Sequence, residues 1–447
     1  MPILTITHTP NPLVAGLLGE AQLCYVLVRI SAAGDGAARP VNWALVADAS
    51  RSMRIPIVDE AQFRALIREG GAQETLVDGV PVWQLSGPVP PDVRAASRSA
   101  LDHVARALHS VVERLDAHDR FALIACAEEA VLLARSASGA QRAELARGIA
   151  RLPSLNLGEQ TDLARGIELA LNELRHGRDS QRVERLLLLT DGFTQRPDAC
   201  LALAKAAAAE GVAISTIGLG GEFQEEVLTE LADRSGGRAL FLHKPEEIPR
   251  TVAAELDMAR AAAARAISLR VAPAAATVRR ITRIRPDLAT LYEGVTGEMP
   301  PDLPLGDVAG GAQITLLLEL LAPAAAQPTT AVPLAQLAVT SAGALVAQVE
   351  LHVDYQTVAP PHPREVLDAA ARAAAARLQR RAVATATGNP AEAARLLRAA
   401  ATRLDDLGEH ALAGAARAQA HTLELGGAAN PLATKELTYA TRRLGGE

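Results

Sequence analysis

Oxygen-bearing side chains are concentrated in one short segment near residue 50. The sequence ALVADASRSM places Asp48 directly after an apolar run, and Ser50 and Ser52 follow at alternate positions. One carboxylate and two hydroxyls form a set of hard oxygen donors, which Mg²⁺ and Mn²⁺ accept more readily than softer metals do. The spacing therefore predicts the first part of a divalent-cation site.

Two later segments carry side chains of the same kind. Thr161 directly precedes an amphipathic helical pattern, and Asp191 follows the apolar run RLLLLT within a Thr-Asp-Gly sequence. In an open parallel sheet, the loops that follow the carboxyl ends of the strands converge on one edge. We therefore expect five side chains to meet there: Asp48, Ser50, Ser52, Thr161 and Asp191. The set predicts a site for Mg²⁺, with Mn²⁺ or Ca²⁺ as alternatives.

Strands and helices alternate between residues 41 and 255, and this alternation supplies the sheet that the site requires. The short apolar strand 185–190 is typical of a strand that is covered on both faces. Helical patterns cover residues 93–115, 162–175, 224–235 and 246–265. Together these elements predict a doubly wound, Rossmann-like α/β domain over 41–255. Residues 54–92 form an insertion, with a hairpin predicted to turn at Asp78-Gly79.

The flanking regions have a different pattern. Residues 262–358 contain strands joined by Pro/Gly turns, which predicts a β-sandwich. The N-terminal strands, within residues 1–38, are predicted to join it, so the α/β domain becomes an insertion in the sandwich. Residues 364–447 are helical, with breaks at Asn389-Pro390 and Asn430-Pro431, and predict a C-terminal helical bundle.

Residues 41–255 resemble the von Willebrand factor A (VWA) family. The D-x-S-x-S segment matches the family's metal-ion-dependent adhesion site, and Thr161 and Asp191 match its second and third site loops. The resemblance implies that Ser50, Ser52 and Thr161 hold the ion directly or through water. Asp48 and Asp191 would bind the ion or orient its ligands. It also implies an open position that accepts an Asp or Glu carboxylate from a partner protein.

Four further residues are predicted at the rim of the site: Arg51, Glu159, Phe193 and Glu222. Arg51 occupies a position that is often glycine in the family. It is expected to pair with Asp59, Glu60 or a ligand carboxylate, or to point to solvent. Phe193 either lines the site or, as we favour, packs in the core. The insertion either selects partners or restricts access to the site.

Composition excludes several classes of protein. The net charge of −6 gives no electrostatic reason to expect nucleic-acid binding. Cys24, Cys126 and Cys200 form neither a disulfide framework nor a zinc pattern. We find neither a secretory signal pattern nor an apolar run long enough for a membrane span. The expected location is the cytoplasm.

These patterns favour a non-enzymatic, divalent-metal-dependent protein-binding module of a bacterial multi-protein system. One alternative is a regulatory or adaptor subunit of an AAA+ ATPase or a kinase–phosphatase system, with the helical tail as its docking element. A less favoured alternative is a Mg²⁺-dependent hydrolase. In that case Asp162 or Glu159 would be the only nearby candidates for a catalytic base.

Overall fold

The strands and helices below belong to a computed structural model, which describes residues 4–17, 19–34, 38–57, 60–77, 80–85, 97–294 and 299–445. The strands are β1 (Leu4–Thr9), β2 (Leu13–Gly16), β3 (Gln22–Ala32), β4 (Val41–Asp48), β5 (Pro56–Ile57), β6 (Ala72–Val77), β7 (Val80–Leu85), β8 (Arg98–Ser99), β9 (Arg120–Cys126), β10 (Ala130–Ser138), β11 (Val183–Thr190), β12 (Ala213–Leu219), β13 (Ala239–Leu242), β14 (Ala262–Pro273), β15 (Thr277–Arg285), β16 (Ala289–Glu293), β17 (Leu303–Ala309), β18 (Gln313–Ala322), β19 (Thr329–Ser341) and β20 (Ala344–Gln356). The helices are α1 (Arg51–Arg54), α2 (Glu60–Arg68), α3 (Ala100–Arg114), α4 (Arg142–Arg151), α5 (Leu163–Gly177), α6 (Pro197–Ala209), α7 (Glu225–Ser235), α8 (Ile248–Arg260), α9 (Arg364–Thr385), α10 (Pro390–Asp406), α11 (His410–Glu424) and α12 (Pro431–Arg443).

The central sheet of the α/β domain has the strand order β10-β9-β4-β11-β12-β13. All neighbours are parallel except β10, which is an antiparallel edge strand. Every residue of β4 and β11 is buried, because helices cover both faces of the sheet. Helices α3, α4 and α8 pack on one face, and α5, α6 and α7 pack on the other. The predicted doubly wound domain is confirmed.

A two-sheet sandwich surrounds this domain in the sequence. One sheet has the order β1-β3-β18-β15-β16 and the other β17-β14-β19-β20-β2. Strand β3, which precedes the α/β domain, pairs along its length with β18, which follows it. The predicted insertion of the α/β domain in a β-sandwich is therefore confirmed.

One predicted helix is too long. The alanine-rich pattern predicted a helix over 246–265, but α8 ends at Arg260 and β14 begins at Ala262. Residues of β14 pair with β17 and β19, and their side chains enter the sandwich core. Tertiary packing therefore overrides the helix propensity of the alanines at 262–264.

The insertion after the first site loop contains α2 and the hairpin β6–β7, which pairs Ala72 with Leu85 through to Val77 with Val80. The predicted turn, Asp78-Gly79, lies outside the described residues. Strand β8 pairs with β5, and Ser99 then caps α3 in a reciprocal capping box with Asp102. The helix predicted from residue 93 therefore begins at Ala100, and residues 93–96 lie outside the described part of the chain.

The C-terminal helices α9 to α12 form a bundle with its own apolar core. Asn389 and Asn430 cap α10 and α12 through their side chains, each followed by proline at the first helical position. The predicted breaks at these residues are thus helix starts. Within the described ranges, no helix combines the length and apolarity that crossing a membrane requires.

Buried charges join the bundle to both other regions. The Arg442 side chain on α12 donates to Asp233 on α7 at 2.7 and 3.0 Å, and to Asp287 between β15 and β16 at 3.0 Å. Arg283 on β15 donates to Asp287 at 2.6 Å and also contacts Asp233. Burial acts to raise the pKa of Asp287, but the two guanidinium groups lower it below its usual range. This four-residue network fixes the α/β domain, the sandwich and the bundle at one point.

Glu184, at the sheet edge opposite the predicted site, is buried and accepts a hydrogen bond from Asn42 at 2.9 Å. Burial raises its pKa from 4.5 to about 7, although Arg178 and Asn42 act to lower it. Between these values the unfolded chain ionises while the folded chain keeps its proton, so stability falls as pH rises. We expect the free energy of unfolding of Glu184→Gln to rise by about 1–3 kcal/mol relative to that of the wild type as the pH increases from 5 to 8.

Urea unfolding of both proteins at several pH values measures this difference. The exposed Glu113→Gln variant is the control, and its difference from the wild type is expected to stay constant. A Glu184→Gln difference that does not change with pH would contradict the prediction.

Candidate metal site

The first site loop begins where β4 ends. The Asp48 carboxylate is completely buried and accepts hydrogen bonds from the Ser50 amide at 2.8 Å and the Thr161 hydroxyl at 3.1 Å. Ser52 lies in the short helix α1, which follows Ser50. The Ser50 and Ser52 hydroxyls are 3.2 Å apart. The alternate spacing of the serines thus places both hydroxyls on the same side of the loop.

The third site loop completes the cluster. The Ser52 hydroxyl donates to Asp191, which follows β11, at 2.7 Å. Strands β4 and β11 are parallel neighbours, so their carboxyl ends lie side by side. The structure therefore brings together all five predicted metal-site residues: Asp48, Ser50, Ser52, Thr161 and Asp191.

Thr190 also belongs to this cluster, and the sequence analysis missed it. Its hydroxyl donates to Asp48 at 2.5 Å and accepts from the Gly192 amide at 3.1 Å. The parallel register pairs Leu189 with Ala47, which places Thr190 beside Asp48. A hydroxyl that ends a continuously apolar strand was the available signal, because a buried hydroxyl needs a partner.

The second loop is held by contacts on both sides of Thr161. The Glu128 carboxylate accepts from the amides of Glu159 and Gln160 at 3.1 and 3.4 Å. Thr161 forms a parallel bridge with Thr194, whose hydroxyl accepts from the first amide of α5 at 3.1 Å. These contacts join the second and third loops, so Thr161 is fixed relative to Asp191.

The two carboxylates of the cluster lie among hydroxyl groups, without a cationic partner in the described ranges. Burial raises the pKa of Asp191 to about 6, with Asp48 adding to this and the Ser52 hydrogen bond opposing it. Burial likewise raises the pKa of Asp48, against the hydrogen bonds that it accepts. Among the residues described, no Lys or Arg forms an ion pair with either carboxylate. A buried and a half-buried acid among neutral hydroxyls form a donor set that fits a hard divalent cation.

The cluster differs from sites built from many acids or imidazoles. In the described part of the chain, no group of three or more His, Cys, Asp or Glu side chains is arranged to hold a metal ion. A cation here would instead depend on hydroxyl oxygens as well as on two carboxylates. Such a set of few charged ligands leaves a hard cation able to accept an outside anion.

The four predicted rim residues lie in different surroundings. Arg51 pairs with Glu159 at 3.3 Å, while Asp59 and the side chain of Glu60 lie outside the described part of the structure. Phe193 is 58% exposed, so the favoured prediction of core packing is wrong. Glu222 is exposed, and the adjacent Gly221 contacts the bundle through Lys435 on α12. The described contacts place Glu222 beside the bundle and do not join it to the five-residue cluster.

Both acids that the sequence suggested as catalytic bases already have cationic partners. Asp162 is buried and accepts from Arg165 at 3.1 Å and from Arg196 at 2.7 Å. Glu159 pairs with Arg51 at the surface. Neither acid therefore reaches the five-residue cluster as an unpaired carboxylate.

Two family models match the chain. Residues 94–254 match the von Willebrand factor type A domain, and residues 364–447 match the Sll0103-like, C-terminal alpha-helical domain. The chain therefore contains a VWA domain. The matched range begins after the insertion, so it does not include the first site loop. The pairing of β4 with β11 brings that loop next to Asp191 in the structure.

The chain is similar to two uncharacterized bacterial proteins. It is 27% identical over 229 residues to sll0103 of Synechocystis, covering 49% of this chain and 53% of that protein. It is 25% identical over 229 residues to YfbK of Escherichia coli, covering 50% of this chain and 39% of that protein. The matched part thus spans about half or less of each relative's length.

Two solved structures share the fold over nearly the whole chain. A von Willebrand factor type A protein from Catenulispora acidiphila has a TM-score of 0.73 at 16% identity, covering 99% of this chain and 97% of that one. The ArnB paralog VWA2 from Sulfolobus acidocaldarius has a TM-score of 0.57 at 16% identity, covering 99% of both chains. At this identity the likeness shows the fold alone.

Proposed function

We propose that the protein is a non-enzymatic module that binds a partner protein through a divalent cation, most simply Mg²⁺, at the Asp48–Asp191 cluster. The observation that carries the proposal is the pair of carboxylates among hydroxyls with no described cationic partner. When bound, the cation would supply an open coordination position for an Asp or Glu side chain of the partner. Ser50, Ser52 and Thr161 would hold the ion, while Thr190 keeps Asp48 in place.

The ion pairs of the two candidate bases support a binding role over a hydrolytic one. Metal-assisted hydrolysis requires an activated water and generally a base placed to accept its proton. Asp162 is buried and held between two arginines, so its carboxylate is already engaged in ion pairs. Hydrolysis of a phosphoester by the purified protein, lost in Thr161→Ala, would overturn the binding proposal.

Capture of partner proteins from a lysate by the full-length protein tests the proposal. The experiment compares Mg²⁺ with EDTA, and the wild type with Asp48→Ala. Asp302→Ala, at an exposed aspartate of the sandwich, is the matched control. We expect a specific set of proteins that is retained only by the wild type and Asp302→Ala in Mg²⁺. The same proteins retained in EDTA would contradict the proposal.

Phe193 is expected to strengthen partner binding, because it is an exposed aromatic residue two positions after Asp191. Aromatic side chains at the centre of interfaces often account for much of the binding energy. We expect Phe193→Ala to weaken binding of the captured partner by about tenfold or more. The thermal midpoint is expected to stay close to that of the wild type, because the side chain is not part of the core.

Titration calorimetry with the captured partner measures this effect. Leu425→Ala is the matched control, since Leu425 is 74% exposed in the distant helical bundle. Equal affinities of Phe193→Ala and the wild type would remove Phe193 from the interface.

A further inference from the structure

A polar cleft of about 680 Å³ adjoins the metal site on the side of the first two loops. It is lined by Arg51, Arg54, Ile55, Glu128, Asn156, Gly158 and Glu159. Arg51 lies between Ser50 and Ser52, and Glu159 lies two residues before Thr161. The cleft and the cluster therefore share two loops, and a ligand at one lies close to the other.

Arg54 provides a fixed positive charge in the wall of the cleft. Its side chain donates to the carbonyl of Ser50 at 3.4 Å and to the carbonyl of Gly158 at 3.2 Å. Both acceptors are neutral, and no described carboxylate forms an ion pair with this guanidinium. The Glu128 carboxylate accepts hydrogen bonds from two backbone amides. Within the described ranges, Arg54 is thus a fixed guanidinium in the cleft wall whose own hydrogen bonds go to neutral carbonyls.

Arg51 and Glu159 form the exposed rim of the cleft. Their single contact is 3.3 Å long, and the side chains are 69% and 70% exposed. Exposed ion pairs of this kind contribute little to stability, because water screens them. A carboxylate that binds Arg51 through both oxygens would make the stronger contact. Glu159 therefore occupies the position that an incoming acid would take.

We propose that this cleft binds a second acidic side chain of the partner, with Arg51 and Arg54 as specificity-determining residues and Glu159 as an internal competitor. The inference rests on the proposed function, in which a first acidic side chain binds the metal. Arg51 is adjacent in sequence to both serines, so the two acids must lie only a few residues apart. The partner class is thus a segment with two closely spaced acidic residues.

Short synthetic peptides and the full-length protein in Mg²⁺ provide the test. Each peptide has one fixed Asp, and Asp, Asn or Lys is placed at successive flanking positions. At one flanking position, we expect the peptide with Asp to bind about three- to tenfold more tightly than the peptide with Asn. This difference corresponds to one additional charge-assisted contact. We expect Arg51→Glu to reverse this preference toward Lys, and Glu159→Gln to increase it. Arg250→Glu, which makes the same charge change at an exposed site on α8, is the control.

The outcomes separate the two proposals. The preference is the ratio of the affinities of one variant for the Asp peptide and for the Asn or Lys peptide. A difference in metal affinity between variants therefore does not produce it. Mg²⁺-dependent binding of singly acidic peptides, with no gain from a second acid at any position, overturns this inference alone. A preference that is unchanged in Arg51→Glu also overturns it. Absence of any Mg²⁺-dependent peptide binding contradicts both this inference and the proposed function.

Discussion

Asp191→Asn is expected to weaken Mg²⁺ binding by about 100-fold or more without lowering the stability of the metal-free protein. Two unit charges 4 Å apart attract by about 4 kcal/mol at an effective dielectric constant of about 20, and about 3 kcal/mol corresponds to 100-fold. The amide oxygen of Asn can still accept the hydrogen bond that Ser52 donates at 2.7 Å. The substitution also removes the repulsion between Asp191 and Asp48.

Calorimetric titration with Mg²⁺ and thermal unfolding in EDTA measure the two parts of this prediction. Asp198→Asn, at an exposed aspartate in the first turn of α6, is the matched control and is expected to keep the wild-type affinity. Wild-type Mg²⁺ affinity in Asp191→Asn would exclude Asp191 from the metal site. A large drop in the unfolding temperature in EDTA would show that the carboxylate has a structural role.

Arg442→Met is expected to destabilise the protein by about 3–5 kcal/mol, because it leaves the buried network with an excess negative charge. Asp233 and Asp287 would share Arg283 alone, although each now contacts two guanidinium groups. Methionine fills much of the volume of arginine, so the loss of charge rather than a cavity would cause the effect. Urea unfolding at neutral pH measures the difference.

Arg443→Met is the matched control, since Arg443 is the next residue of α12 and is exposed. Its effect is expected to stay within about 0.5 kcal/mol. Adding Asp233→Asn to Arg442→Met removes the excess charge and is expected to recover part of the lost stability. If Arg442→Met were as stable as Arg443→Met, the network would not stabilise the junction.

Much of the site was predictable because each residue lies at a recognisable strand or helix end. Asp48 and Asp191 follow apolar runs, and Thr161 precedes an amphipathic helix, so the rule that strand ends converge was sufficient. Thr190 was not predicted because the site pattern assigns a role only to the carboxylate that follows it. The exposure of Phe193 was not predictable, because local sequence does not tell whether a loop aromatic turns inward.

Long-range contacts mark the limit of the sequence analysis. The partners of Arg442 are distant along the chain, and nothing in their local sequence distinguishes them from surface charges. Long-range contacts also determine where α8 ends. Alanine favours a helix, yet residues 262–264 enter a sheet whose other strands come from distant segments. Arg51 was expected to pair with Asp59, Glu60 or a ligand carboxylate, or to point to solvent, whereas its observed partner is Glu159 on another loop.

The route of the chain through the sandwich constrains the order in which the protein can fold during synthesis. Strand β3 pairs with β1 on one edge and with β18 on the other, so this second edge stays unpaired until residue 322 has left the ribosome. The α/β domain between them can close earlier, because its entry and exit are joined by a backbone hydrogen bond from Arg39 to Arg260 at 3.0 Å. Domains generally fold as units as they emerge. Until the second half of the sandwich arrives, the N-terminal strands are therefore the segment that chaperones must protect.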